Sequence, residues 1–238
     1  MTEWVQELQG ADTKARSRAA FALGRMAHPA VVPHLINALK DDEPFVRWTA
    51  AFSLSVIGTG AEAAVPALVG ALGDPEDYVR EQACGAMVSI GPEKIPPGLA
   101  LERALEDPSH AVSVQAARAS WRRDGDTQAV LPILLAGLAS SDSHVRWQAA
   151  SALGELGTEA KAAVPLLTTA LADGEEAVRS SAVNALGEIG PDARDAVPRL
   201  IMLLTDPSES IRVFVARALA ISLNVRPRPP LKKVAEAK

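Results

Sequence analysis

Small apolar residues recur along this chain in a two-part pattern. The first part is clearest around residue 46. Val46, Ala50, Ser53, Leu54 and Ile57 follow one another at three- and four-residue steps, the spacing of one face of an α-helix. A second, shorter apolar pattern follows. Leu68 and Leu72, Leu134 and Leu138, Leu167 and Leu171, and Leu200 and Leu204 each sit four apart and so share one helical face. The predicted element is a pair of helices, here A and B, repeated several times.

The repeat has a sharp marker. Val46-Arg47, Val79-Arg80, Val145-Arg146, Val178-Arg179 and Ile211-Arg212 occupy one position, and Arg16 and Ser113 fill it in two divergent copies. The first interval between markers is 31 residues and the other five are 33. A fixed period of this size signals a solenoid of stacked helix pairs. Asp41, Asp74, Asp107, Asp173 and Asp206 precede helix A and are expected to accept from its first free amides. Pro75, Pro108 and Pro207 read as first helical residues, and Pro66, Pro132, Pro165 and Pro198 open helix B. Gly58, Gly91, Gly157 and Gly190 fit left-handed C-caps of helix A.

The composite motif D-P-x-x-x-V-R-x-x-A-A-x-A-L-G-x-I-G, followed by A-V-P-x-L, resembles HEAT repeats of the short phycobilisome-lyase-like type. It is also similar to engineered binders built on that consensus. The resemblance extends over residues 1–225. It implies an all-α, right-handed α-solenoid of about seven helix pairs, with units starting near residues 11, 41, 74, 107, 140, 173 and 206. Residues 1–10 form an N-terminal cap helix in this scheme, because Trp4 and Leu8 precede Arg16 as Leu68 and Leu72 precede Arg80. Arg226-Pro227-Arg228-Pro229-Pro230 breaks any helix, so 226–238 reads as a flexible proline-rich basic tail, the alternative being a stunted helix B built on Leu231, Val234 and Ala235.

Composition narrows the picture. Hydrophobic residues make up 48% of the chain and aromatics only 4%, so alanine and leucine must fill closely spaced helices. No uninterrupted apolar run approaches the roughly 20 residues of a membrane span, and Met1-Thr2-Glu3-Trp4 does not begin a secretion signal. A cytoplasmic protein is expected. The single Cys84 replaces an alanine of the repeat and reads as a core residue.

The scarce aromatics carry the functional signal. Seven of the nine fall on a few repeat positions of helix A: Phe45 and Tyr78, Trp48 and Trp147, Phe214, and Phe21 and Phe52. Phe45, Trp48 and Phe52 form a stripe roughly opposite the apolar positions of their helix. The resemblance implies that helix A lines the concave face, and these offsets are the ones varied in the engineered binders. The expected site is a groove carrying Phe21, Phe45, Trp48, Phe52 and Tyr78, continued by His144 and Trp147 beyond a poorer fourth unit. Unit six, with Ser180, Ser181 and Asn184, is polar there. Exposed rings are favoured at binding hot spots.

The expected partner is therefore a protein or peptide segment. The net charge is −5, and Glu43, Asp77, Glu81 and Glu176 flank the groove, which opposes nucleic acid. Membrane binding is not expected either, and nothing in the pattern sets an oligomeric state. The signature arginines read as one side of an Asp–Arg ladder between units. Arg118, Arg122 and Arg123 read as a solvated turn. None of His28, His34, His110 and His144 adjoins a glutamate, as the iron-binding histidines of HEAT-repeat deoxyhypusine hydroxylases do, and no zinc spacing or phosphate loop is present. No catalytic residue, metal or cofactor is expected. His110 and His144, near two helix starts, are candidates for ligand contact. The resemblance leaves one alternative: a lyase-like subunit that binds a linear tetrapyrrole or an antenna protein.

Overall fold

A computed structural model describes residues 1–96 and 99–224. Among them there are helices and turns and no strand. The α-helices are α1 (Thr2–Leu8), α2 (Thr13–Arg25), α3 (Val32–Ala38), α4 (Pro44–Ile57), α5 (Val65–Ala71), α6 (Asp77–Ile90), α7 (Leu99–Leu105), α8 (His110–Asp124), α9 (Thr127–Leu138), α10 (Ser143–Leu156), α11 (Val164–Ala170), α12 (Glu176–Ile189), α13 (Val197–Met202) and α14 (Glu209–Ser222). The even-numbered helices are the A helices, and α3 to α13 of odd number are the B helices. The architecture is an all-helical solenoid of repeated helix pairs. The residues expected to form the flexible tail lie outside the described residues.

Two compact parts are present, Met1–Ala152 and the residues from Leu153 on. In the first, α2, α4, α6 and α8 pack in succession. Their seams are made of small residues: Ala19, Ala20, Ala50, Ala51, Ala83, Cys84, Ala116 and Ala117 are fully buried. Hydroxyls pin the seam as well. Ser17 and Thr49 share a 3.0 Å hydrogen bond, and Ser53 donates to the Ala20 carbonyl at 2.9 Å. Leucines from the B helices, among them Leu35, Leu68 and Leu134, close the other side. Leu8 of α1 is buried and Trp4 packs partly against the same core, so α1 covers the first pair. In the second part, α12 packs on α14, with Gly187 against Ala218.

Helix ends depart from expectation in four ways. Pro75, Pro108 and Pro207 are not helical; they sit in the turn two residues before α6, α8 and α14, and among the A helices only α4 begins with a proline, Pro44. The aspartates therefore accept not from helix amides but from the N-cap amides of Glu43, Glu76, Ser109, Glu175 and Ser208, at 2.9–3.0 Å. Glycines 58 and 190 do have positive φ, but ψ is −134° at both, outside the left-handed helical region and in a region that a β-carbon disfavours more strongly. Gly125, after α8, is a left-handed cap, and Gly157, Ala27 and Asn224 also have positive φ, 56°, 47° and 52°, just after their helices. Finally, Pro132 lies inside α9, because residues 127–131 continue as α-helix where other repeats form a 3-10 turn.

One sequence expectation needs qualification. Pro44–Ala71 contains a stretch with the mean hydropathy, 1.5, and the length of a membrane span. It is not one rod, because Gly58 separates α4 from α5. Its buried side chains Val46, Ala50, Leu54 and Leu68 fill the protein core.

The arginine ladder is built between neighbouring repeats. Arg16 meets Asp41, Arg47 meets Asp74, Arg80 meets Asp107, and Arg179 meets Asp206, each through Nε and Nη2 on the two carboxylate oxygens. Nη1 of each arginine donates instead to two backbone carbonyls six and five residues earlier in its own repeat. One planar side chain thus holds its own turn and the next repeat together, which an ammonium could not do. The fourth repeat has Ser113 for the arginine, and the fifth has Ser140 for the aspartate. Hydrogen exchange should be faster for the amides of α8 than for those of α4 and α6, since opening starts at the weakest interface. Equal protection in α4, α6 and α8 would contradict this.

Cys84 is fully buried, and burial pushes its thiol up to about 12. The native protein should resist a maleimide at neutral pH and react once unfolded. Rapid labelling under native conditions would disprove the core assignment.

Candidate functional site

The aromatic stripe of α4 forms because residues 45, 48 and 52 point away from Val46, Thr49, Ala50, Ser53 and Leu54, which are buried. The rings stack on one another. Phe45 and Trp48 have centroids 5.6 Å apart at 13°, and Trp48 and Phe52 are 5.6 Å apart at 16°. Phe21 of α2 extends the stack onto Phe52 at 6.0 Å and 14°. Offset parallel rings are a favourable arrangement and hold the side chains in place. The stack remains accessible: Phe45 is 57% exposed and Phe21 45%, while Trp48 and Phe52 are half-buried. Four of the seven sequence-predicted site residues therefore form one platform across α2 and α4.

The other three gather elsewhere. Tyr78 and His144 line a cleft of about 360 Å³ at the N-terminal ends of α6, α8 and α10. Trp147 packs against His144, with ring centroids 5.5 Å apart. Asp77 and Glu81 of α6 and Asp142 just before α10 give the cleft its charge, and His110 is also in its wall. The cleft exists because α8 is slim here: Ala111 and Val114 replace the bulkier Tyr78 and Glu81 of the preceding repeat. Side chains of α6 and α10 consequently meet over α8. Glu81 Oε1 lies 3.0 Å from His144 Nε2 and accepts from Gln148 Nε2 at 2.5 Å.

Sequence reasoning counted Asp77 and Glu81 only as acids that would repel nucleic acid, and it missed Asp142 and Gln148. Gln148 follows Trp147 on the inner side of α10 and is 5% exposed. Its row runs Thr49, Gln82, Gln115, Gln148, and a polar row next to an apolar core was a usable signal. The supposed basic turn at 118–123 is part of α8. There Arg123 binds Asp124 and Glu102, so the patch is partly neutralised.

Among its described residues the second part presents no comparable face. Ser180 and Ser181 are half-buried, Asn184 is exposed, and Phe214 is half-buried. Larger hollows of about 820 and 530 Å³ lie on the B-helix side over the ladder, and none of the predicted site residues lines them. Among the described residues no group of three His, Cys, Asp or Glu side chains converges to hold a metal ion.

The model of HEAT repeats matches residues 1–94, 98–177 and 164–238. A Kap121p mutant, 18% identical, has a TM-score of 0.62 over 91% of this chain and 26% of that one. An engineered protein, 25% identical, has a TM-score of 0.58 over 92% of this chain and 67% of that one. Both share the helical fold. The complex of CpcE and CpcF of phycocyanin lyase from Nostoc sp. PCC7120, 22% identical, reaches 0.49 over 92% and 93% of the two chains, too slight a likeness to carry a function across. Among curated proteins, none matches the chain.

Proposed function

Because this chain belongs to the HEAT-repeat family, we propose that it is a non-catalytic, cytoplasmic scaffold that binds a protein segment along the exposed face of its A helices. The observation that carries this reading is the stacked platform of Phe45, Trp48, Phe52 and Phe21, which stays open to solvent on helices whose buried residues are mostly small. Large rings pre-ordered by stacking lose little freedom when a partner covers them, which favours their use as hot spots. The carboxylates of Asp77, Glu81 and Asp142 at the heads of α6 and α10 support a protein partner over nucleic acid, whose phosphates would need cations.

The test is a comparison of partner capture by the natural chain and by a Trp48→Ala, Phe52→Ala, Trp147→Ala variant. Capture should weaken at least about tenfold. The variant should still melt cooperatively and lose less stability than Leu68→Ala, a core truncation that costs about 2–5 kcal/mol. Unfolding as severe as that of Leu68→Ala would make the rings core residues and end the proposal. Addition of biliverdin checks the tetrapyrrole alternative directly: an induced visible band that disappears in the same variant would replace the peptide reading.

A further inference from the structure

The second part leaves an apolar face uncovered on α13 and α14. Leu204 is 43% exposed, whereas its equivalents Leu39, Leu138 and Leu171 are buried and Leu72 and Leu105 are half-buried. Ile201 is exposed, whereas Ile36, Val69, Leu135 and Thr168 at the same repeat position are half-buried. Ile221 and Leu223, at the end of α14, are exposed too. In earlier repeats the next B layer supplies cover: α5 lies against α7, and α11 against the turn Gly190–Ala196 that leads into α13. α13 packs on α14, and no B helix follows it among the described residues. Large apolar side chains clustered in water beside a packed core point to an occupant.

The chain that comes next has the right sequence. Arg16 is followed by Pro33, Leu35, Ala38 and Leu39 after 17, 19, 22 and 23 residues, and Arg212 by Pro229, Leu231, Val234 and Ala235 after the same intervals. In repeat one this stretch is α3 and its C-cap, where Leu35, Ala38 and Leu39 are buried and Pro33 and Asn37 are exposed. The buried positions thus correspond to Leu231, Val234 and Ala235, and the exposed ones to Pro229 and Lys233. The exit from α14 matches repeat one as well. Asn224, two residues past α14, has a φ of 52° and donates its amide to the Ile221 carbonyl at 2.9 Å. Ala27, two residues past α2, has a φ of 47° and donates to the Gly24 carbonyl at 3.0 Å. In repeats two to six the positive-φ residue is instead a glycine directly after the helix. The HEAT-repeat match also continues through residue 238. We propose that residues 229–235 dock on α13 and α14 in the manner of α3, with Leu231, Val234 and Ala235 covering Ile201 and Leu204. Pro229 is only five residues beyond Asn224, so little loop entropy opposes the docking. Arg228 stands where repeat one buries Val32, so this cover should open more readily than α3. The docked segment keeps the face from stacking on a second copy, a hazard of any uncovered solenoid face.

Methyl nuclear Overhauser contacts in the natural 1–238 chain test this directly. Leu231 or Val234 should show cross-peaks to Ile201 or Leu204, and their absence would overturn the proposal. Leu231→Asp, Val234→Asp should speed hydrogen exchange of the α13 amides at least about tenfold, because the cover is lost. Lys233→Ser, a change at an outward position, should leave that exchange as it was. Equal protection in the aspartate variant and the natural chain would also overturn the proposal. If the aspartate variant fails to fold, the cross-peaks of the natural chain decide. A mixed sample of labelled and unlabelled chains separates the remaining occupant: cross-peaks to Ile201 and Leu204 that arise only between molecules would make the face a self-contact and defeat the docked segment.

Discussion

Arg47→Ala is expected to destabilise the protein by about 3 kcal/mol, more than loss of any exposed charge. Arg47 and Asp74 keep only 11% and 7% of their side-chain surface exposed. Exposed ion pairs contribute roughly 1 kcal/mol or less, but removing one partner of a buried pair strands the other, at about 3–5 kcal/mol. Alanine would leave the Asp74 carboxylate without its bidentate partner and the Asp41 and Asp42 carbonyls without Nη1. Arg47→Lys keeps the charge but cannot make all four bonds, so it should recover only part of the loss. Chemical denaturation of the three proteins measures this. A loss for Arg47→Ala within that of a surface control would mean that solvent screens the ladder.

The same ladder sets the response to acid. Burial alone would raise the Asp74 carboxyl, but the hydrogen bond from Arg47, the Glu76 amide and the nearby guanidinium charges outweigh it and hold it below its ordinary value. Asp41, Asp107 and Asp206 are lowered in the same way, burial again opposing. A carboxyl with a lowered folded pKa stabilises the fold above its unfolded pKa, about 3.9, and loses that contribution as pH falls through the folded value. The loss should therefore begin near pH 4 and deepen below it, and Asp74→Asn should flatten this acid limb. An acid limb that is unchanged in Asp74→Asn would assign acid unfolding to other groups.

The second large effect concerns a glycine that no charge pattern reveals. A β-carbon on Gly24 would lie 2.4 Å from the Ser53 β-carbon and 2.8 Å from its α-carbon. The obstacle is the body of α4, not a movable side-chain end. Glycine to alanine inside a helix normally gains up to about 1 kcal/mol. Here overpacking, at about 1–3 kcal/mol or more, should win. Gly24→Val should be worse still, since α2 and α4 would have to separate and break the Ser17–Thr49 and Ser53–Ala20 bonds. Gly70 in α5 is the control: nothing lies within 4 Å of its would-be β-carbon, so Gly70→Ala should be neutral or slightly stabilising. Thermal melts of the three variants check the order, and a Gly24→Val as stable as Gly70→Ala would mean that the A-helix seam is looser than described.

What the amino-acid order determined by itself was whatever repeats. The 33-residue period carries the helix pairs, the alanine seam, the Asp and Arg that join repeats, and the outward stripe of Phe45, Trp48 and Phe52. Each of these follows from spacing along one helix or from equivalence between copies, and both are legible in one dimension. Tertiary structure decided the rest. It turned Phe21 onto Phe52, moved Pro75 and Pro108 out of their helices, and separated Tyr78, His144 and Trp147 from the platform. It also brought Glu81 against His144 and Gln148, 63 and 67 residues away. That meeting depends on small side chains in the intervening repeat, which let the two outer helices reach each other. A missing bulk is felt only in three dimensions, and so the cleft lies where the repeat pattern is weakest.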